Sequence, residues 1–223
     1  MAPDPNCYSA DFFSQTCSHT PMHADFSVEL GAQDDVMELP WSAPAGGGPR
    51  YYDLKRQPEL LLNVEEAFAN RELGEFLAAI NSRSSMLESS KCDLWTSTEL
   101  SEEEKIYQAQ CKFASYVDLV FDENHPRGSF PEHEAFAKEI CALLKKAPEI
   151  SAAAEFVVRR CYFRARSYDE TEHSEGFGFT FYLSGYGEDE LEARRRWMIA
   201  LKVVENALLQ LSATRRRKTN AGL

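Results

Sequence analysis

The chain has 223 residues, of which 43% are apolar, so it is long enough to form one domain of ordinary size around a single core. Its formal net charge of −12 argues against broad binding to nucleic acid or to anionic membranes, and we expect neither as a partner. Six widely spaced cysteines, the lack of a secretory signal and the lack of a long apolar run indicate a cytoplasmic protein with reduced thiols.

Composition divides the chain into three parts. Residues 1–49 contain seven acids, no Lys or Arg, and the Pro- and Gly-rich run Ala-Pro-Ala-Gly-Gly-Gly-Pro. Such a segment buries too little apolar surface to offset its ordering entropy, which predicts an acidic disordered tail. Residues 50–212 are expected to form one α+β domain. Residues 213–223 read as a basic C-terminal tail with Arg215, Arg216, Arg217 and Lys218.

The first part of the predicted domain contains a short strand and a broken helix. Tyr51, Tyr52 and Leu54 favour an edge strand over residues 50–56, and Pro58 suits the first turn of a helix. The apolar residues before and after Asn70 lie about half a turn apart, so one straight helix would expose one of the two stripes. We therefore predict a break near Asn70, a residue that tolerates the left-handed conformation.

The middle of the chain predicts one strand and two helices. Cys92 and Leu94 favour a strand over residues 91–96. Ser101 and Glu104 match a capping box, and the apolar spacing that follows predicts a helix extending to about Phe121. A further helix is predicted over residues 131–147, and Pro148 ends it. The apolar side chains of these two helices are Ile106, Ala109, Phe113, Val117 and Val120 in the first, and Phe136, Ile140, Leu143 and Leu144 in the second.

The strongest pattern lies between residues 155 and 186. Apolar and polar residues alternate there on both sides of an acidic connection, which indicates a β-hairpin. After Gly187 the period becomes helical, and one wide apolar arc includes Trp197, Leu201 and Leu208. The sequence therefore predicts an α+β fold, in which a small antiparallel sheet of three or four strands packs against this long C-terminal helix and several further helices.

The octamer Glu175-Gly-Phe-Gly-Phe-Thr-Phe-Tyr182 lies on the second strand of this hairpin. It resembles the RNP1 motif of RNA-recognition motif domains, in which aromatic side chains on a central strand stack on bases. Glu175 departs from the basic residue of that motif. The resemblance implies binding of RNA or single-stranded nucleic acid through Phe177 and Phe179. The other hypothesis buries these rings in the core, where each contributes on the order of 2 kcal/mol.

Four polar side chains alternate with apolar residues on the first strand of the hairpin: Arg160, Tyr162, Arg164 and Arg166. The alternation predicts that they project from the sheet face away from the helices, where they would bind an acidic partner or be neutralised by acids of the hairpin turn. We expect a non-catalytic protein-protein interaction module with this surface as its candidate site. The acids of residues 1–49 would cover the surface when no partner is bound.

No group of residues predicts a catalytic or metal site, and we expect no cofactor. Cys7, Cys17, His19 and His23 are ligand types that zinc prefers, but no two of these cysteines have the spacing of about two to four residues seen in zinc fingers. Cys111 with His125 or His133 would form a nucleophile and base pair, and core packing explains the same residues. A small-molecule-binding protein or an enzyme of unknown reaction is the remaining alternative.

Overall fold

The computed structural model describes residues 22–41, 50–164 and 173–221. These residues form a six-stranded sheet ordered β1-β5-β6-β4-β3, and β2 pairs with β5 beyond the end of β1. The sheet is mixed, because β1 and β2 run parallel to β5 while the other pairs are antiparallel. The strands are β1 (His23–Glu29), β2 (Met37–Leu39), β3 (Leu87–Ser97), β4 (Cys111–Phe121), β5 (Ala152–Arg164) and β6 (His173–Gly187).

The described residues also form four α-helices: α1 (Glu65–Ala69), α2 (Arg71–Ile80), α3 (Phe130–Leu144) and α4 (Glu190–Ala221). Two 3-10 helices, Pro58–Asn63 and Glu103–Tyr107, accompany them. The predicted break at Asn70 and the predicted helix at 131–147 are confirmed. Asn70 is extended rather than left-handed, and its side-chain oxygen accepts a hydrogen bond from Leu73 N at 3.3 Å, so it caps α2.

The predicted small antiparallel sheet is wrong, in part because two strands come from the segment assigned to the N-terminal tail. In β1, Ala24 is buried and Phe26 packs against the main core, while Asp25 and Glu29 alternate with them. The strand was not predicted because this alternation is short and its polar positions are acidic, as in the rest of the segment. Residues 22–41 therefore contribute two strands to the sheet, and residues 1–21 and 42–49 lie outside the described residues.

The third strand that the sequence did not predict is β4, which stands where most of the helix predicted to reach Phe121 was expected. Phe113 and Val117 are four residues apart and fit either a strand or a helix. The side chains of β4 that face the main core recur with period two: Cys111, Phe113, Val117, Leu119 and Phe121. The capping box between Ser101 and Glu104 does form, but its 3-10 helix ends at Tyr107 and is followed by Gln108, whose φ of 51° is left-handed. Residues 50–56 form no strand, contrary to prediction.

The helices cover one face of the sheet, and α4 lies closest to it. Trp197 is fully buried, and its indole N–H donates to the Ser115 hydroxyl at 2.9 Å. A Cβ at Gly185 would lie 2.3 Å from the backbone nitrogen of Trp197 and 2.4 Å from the carbonyl oxygen of Ala193. Only glycine therefore allows this approach between β6 and α4.

The opposite face of the sheet is concave. Although β2 and β3 lie at opposite ends of the sheet, the Trp41 indole donates to the Ser90 carbonyl at 3.0 Å and the Ser90 hydroxyl donates to the Glu38 carbonyl at 3.4 Å. The sheet must curl for the chain after β2 to reach β3 across this face, which we call the concave face. A second buried cluster fills one end of it: Met37, Leu39, Val120, Cys161 and Phe163.

Helix α4 includes residues 213–221, so most of the segment predicted to be a basic tail is helical. Arg215 pairs with Glu132 and Glu139 of α3 at 3.1 Å each. Arg216 donates to the Ser85 carbonyl at 2.7 Å and pairs with Asp122 at 3.3 Å. These contacts attach the end of α4 to the rest of the domain.

Candidate functional site: a cavity at the edge of the sheet

The arginines of β5 do not lie on the face that the sequence predicted. Arg160 pairs in register with Phe177 and Arg164 with His173, which places them on the side of the sheet that the helices cover. The prediction failed because β5 buries residues on both faces. Val158 belongs to the main core and Cys161 to the concave-face cluster, and residues three apart in a strand point to opposite sides.

These polar residues of β5 already have partners within the chain. The Arg160 guanidinium donates to the Gly31 carbonyl at 2.7 Å, and Arg164 pairs with Glu38 at 2.8 Å. The Tyr162 ring meets the His173 ring edge-on, with centroids 5.2 Å apart. Arg166 lies outside the described residues. The predicted surface is therefore partly occupied from within the chain, by Gly31 between β1 and β2 and by Glu38 of β2.

Phe177 and Phe179 face the helices. Phe179 is fully buried, with ring centroids 5.6 Å from Phe121 and 5.3 Å from Phe136. Phe177 is half-buried, and its centroid lies 5.6 Å from that of Phe130. Phe179 therefore lies in the core, as the second hypothesis places it, and Phe177 packs against that core.

The candidate pair of Cys111 with His125 or His133 does not form. Cys111 begins β4, whereas both histidines follow its end, and a strand of this length spans roughly 35 Å. His133 is fully buried, with Nδ1 2.8 Å from the Ser129 carbonyl, and burial lowers its pKa. Of the four zinc-type residues only His23 is described, and the described residues contain no group of three His, Cys, Asp or Glu able to hold a metal ion.

A cavity of about 320 Å³ lies at the edge of β3, and we call it the β3 cavity. Three aromatic rings line it, from Trp41, Tyr52 and Tyr116, together with the aliphatic side chains of Leu54, Val64 and Leu77. Its polar lining consists of Arg50, Asn63, Glu65, Glu66, Ser89, Ser90, Lys91, Cys92 and Asp93. The walls thus come from segments far apart in sequence.

A β-bulge in β3 shapes one wall of this cavity. Ser89 pairs with Leu119 and Cys92 with Val117, so Ser90 and Lys91 together oppose the single residue Asp118. A bulge bends its strand and redirects its side chains, which is why bulges are common beside functional sites. Here the bulge presents the Ser90 carbonyl to the Trp41 indole. It therefore helps to fix the aromatic wall.

Tyr116 lines the cavity and also belongs to a row of aromatic rings on the concave face. Its centroid lies 6.5 Å from that of Trp95 and 6.1 Å from that of Tyr182. Beside this row, the Thr180 hydroxyl donates to the Asp118 carboxylate at 2.7 Å. Burial raises the pKa of Asp118 to about 6, so this carboxyl titrates close to neutrality.

The ionisable groups of the cavity wall experience a negative environment. The pKa of Cys92 is raised to about 12, mainly by burial and in addition by the carboxylates of Glu66, Asp93 and Asp118. Burial also raises the pKa of Tyr116, followed by Asp118 and Asp93. No cation offsets these effects at either group. The thiol and the phenol therefore stay protonated at neutral pH.

The sequence did not reveal this site. Trp41 fell in the predicted tail and Tyr116 in a predicted helix, while Lys91 and Cys92 were assigned only to a strand. The one available signal was Trp41 itself, since a large apolar ring is unusual in a segment expected to remain solvated. The bulge has no sequence signature of its own.

Comparison with protein families, with curated proteins and with solved structures finds no match for this chain. Among the described helices, none has both the length and the apolar character needed to cross a membrane.

Proposed function

We propose that the chain is a non-catalytic binding protein that holds a small organic molecule in the β3 cavity. One observation carries the proposal: a concave site of about 320 Å³ has three aromatic rings and three aliphatic side chains in its walls. Ligand sites in proteins are typically cavities of about this size with aromatic and aliphatic walls and polar groups that orient the ligand. The β3 cavity has a larger polar share than most, since nine of its fifteen lining residues are polar.

The chemistry of the cavity supports binding rather than catalysis. The thiol of Cys92 is its best potential nucleophile, and a pKa near 12 leaves too little thiolate for efficient attack at neutral pH. The other predicted functions gain no comparable support. Of the arginines proposed for a protein partner, Arg160 contacts Gly31 and Arg164 contacts Glu38 of β2. The rings proposed for nucleic acid pack beneath the helices.

We also propose that the protein acts in the cytoplasm, where thiols remain reduced. The four cysteines in the described part of the chain, Cys92, Cys111, Cys141 and Cys161, are free. They lie on four different elements of the fold. This arrangement agrees with a protein that uses cysteine as a small apolar residue.

The test is an NMR screen of the full chain with small aromatic and aliphatic compounds, observed at the indole N–H signals. Ligands of the cavity should shift the signal of Trp41. Asn63→Trp, which fills the cavity from the 3-10 helix, should abolish these shifts. Leu62 precedes Asn63, is 79% exposed and does not line the cavity, so Leu62→Trp should bind as the unaltered protein does. Compounds that shift only Trp95 or Trp197, or that bind the Asn63→Trp protein equally well, would refute the proposal.

A further inference from the structure

We infer that the ligand of the β3 cavity is a cation: a small molecule with an apolar body and an ammonium or quaternary ammonium group. This inference rests on the proposed function, since it names the class of ligand for the same cavity. Three features of the cavity carry it: its aromatic walls, its unpaired carboxylates, and a lysine of the chain that already occupies a cation position.

The aromatic walls supply the first feature. The face of an aromatic ring carries a negative quadrupole that attracts cations, most strongly for Trp and then for Tyr. The cavity has one Trp and two Tyr in its lining. Its aliphatic side chains, from Leu54, Val64 and Leu77, can contact the apolar body of the same ligand.

Lys91 shows that one of these rings accepts a cation. Its ammonium nitrogen lies 6.0 Å from the centroid of the Trp41 ring. Lys91 is exposed, so its long side chain can move into solvent when a ligand arrives. The lysine therefore acts as an internal competitor for the site that the ligand cation would occupy.

The carboxylates of the lining supply the charge. Within the described part of the chain, Glu65 and Glu66 form no ion pair, and the Asp93 carboxylate accepts a hydrogen bond from the adjacent Leu94 backbone at 2.7 Å. Three acids thus face two bases, Arg50 and Lys91, of which Lys91 already contacts Trp41. A ligand cation would complete this balance.

The protonation of the cavity wall agrees with this excess of negative charge. Burial is the main cause of the raised pKa values of Cys92 and Tyr116, and the carboxylates of Asp93 and Asp118 raise the pKa of both groups in addition. The same potential that disfavours a thiolate or a phenolate favours a cation at that position. The net charge of −12 on the whole chain acts in the same direction.

The experiment compares three probes of similar size by isothermal titration calorimetry and NMR: phenyltrimethylammonium, its neutral isostere tert-butylbenzene, and the anion benzoate. We expect the cation to bind at least about fivefold more tightly than the neutral compound, and benzoate to bind more weakly than either. The preference for the cation should shrink as salt is added. Equal binding of all three probes at Trp41 would overturn the charge preference and leave the cavity proposal intact. Failure of every probe to shift Trp41 would overturn the cavity proposal itself.

Two substitutions sharpen the result. Glu66→Gln should weaken binding of phenyltrimethylammonium severalfold without affecting tert-butylbenzene, whereas Glu59→Gln, on the nearby 3-10 helix and outside the cavity, should change neither. Lys91→Met keeps an apolar stem and removes the competing ammonium, so it should increase affinity for the cation alone. Loss of cation affinity in Lys91→Met would contradict the competitor role.

Discussion

The two faces of the sheet differ in how completely their side chains are packed. On the face that the helices cover, Phe179, Phe181 and Leu183 are fully buried against α2, α3 and α4. On the concave face, Tyr116 and Tyr182 are only half-buried, and a cavity opens at the edge strand. The first face specifies the fold. The second tolerates the incomplete packing and shifted pKa values that a binding site needs.

The largest expected effect is a difference in stability between substitutions at two adjacent residues of β6 that point to opposite faces. Phe181→Ala removes a fully buried ring that stacks 4.8 Å from Phe156, so it should lower the free energy of unfolding by about 3–5 kcal/mol. Tyr182→Ala removes a half-buried ring from the concave face and should cost about 1–2 kcal/mol. Urea denaturation of both variants checks this, and equal losses would contradict the difference between the faces.

A slightly smaller effect tests the contact between β6 and α4. Gly185→Ala places a methyl group against the backbone of Trp197 and should cost about 3 kcal/mol, because two backbones must separate. Gly128→Ala is the matched control, since the nearest atom to its added Cβ is 3.9 Å away. Denaturant midpoints should differ clearly between the two variants. Unchanged stability in Gly185→Ala would mean that α4 does not pack as closely as described.

The concave face makes a pH-dependent prediction. In the folded protein the pKa of Asp118 is raised to about 6, from an ordinary value near 3.8. Between these two pH values the folded protein keeps a proton on Asp118 that the unfolded chain has released. The contribution of Asp118 to stability is therefore full below about pH 4 and falls as the pH rises through about 6. Asn at this position can still accept the Thr180 hydrogen bond and does not titrate.

Measured from pH 4 to pH 7, the stability of the unaltered protein relative to Asp118→Asn should therefore decline by roughly 2 kcal/mol. Urea denaturation at several pH values provides the measurement. Parallel curves for the two proteins would show that the Asp118 carboxyl ionises normally.

The smallest effect concerns the arginines that the sequence singled out. Arg164 and Glu38 form a half-exposed ion pair, and such pairs contribute about 0–1 kcal/mol. Arg164→Gln should therefore change the unfolding free energy by about 0.5 kcal/mol or less, and still less in high salt. Thermal denaturation at low and high salt checks this. A decrease of several kcal/mol in the unfolding free energy would contradict this prediction. It would mean that this edge of the sheet contributes as much to stability as the face that the helices cover.

Local periodicity predicted the parts of the fold in which one face is buried throughout an element. The hairpin, α3, the break at Asn70 and the apolar arc of α4 all follow this rule. It failed at β4, whose spacing of Phe113 and Val117 also fits a helix, and at β5, where the buried face changes along the strand. In both cases packing against distant segments, rather than the local pattern, decided the outcome.

The candidate site was less predictable than the fold. Its walls join residues as far apart as Trp41, Val64, Lys91 and Tyr116, and no spacing rule brings these together. Composition also misled, since the acids of β1 and β2 made strand-forming residues look like part of a solvated tail. Two of the arginines that the sequence singled out, Arg160 and Arg164, do make specific contacts, but their partners are residues of the same chain.

The parallel pairing of β1 with β5 has a consequence for biosynthesis. His23 pairs with Ala153, so β1 needs a partner strand that is translated 130 residues later. At about 5–20 residues per second, that segment waits on the order of ten seconds before its neighbour exists. During this interval the nascent chain exposes an unpaired strand, and its acidic side chains discourage association with other chains.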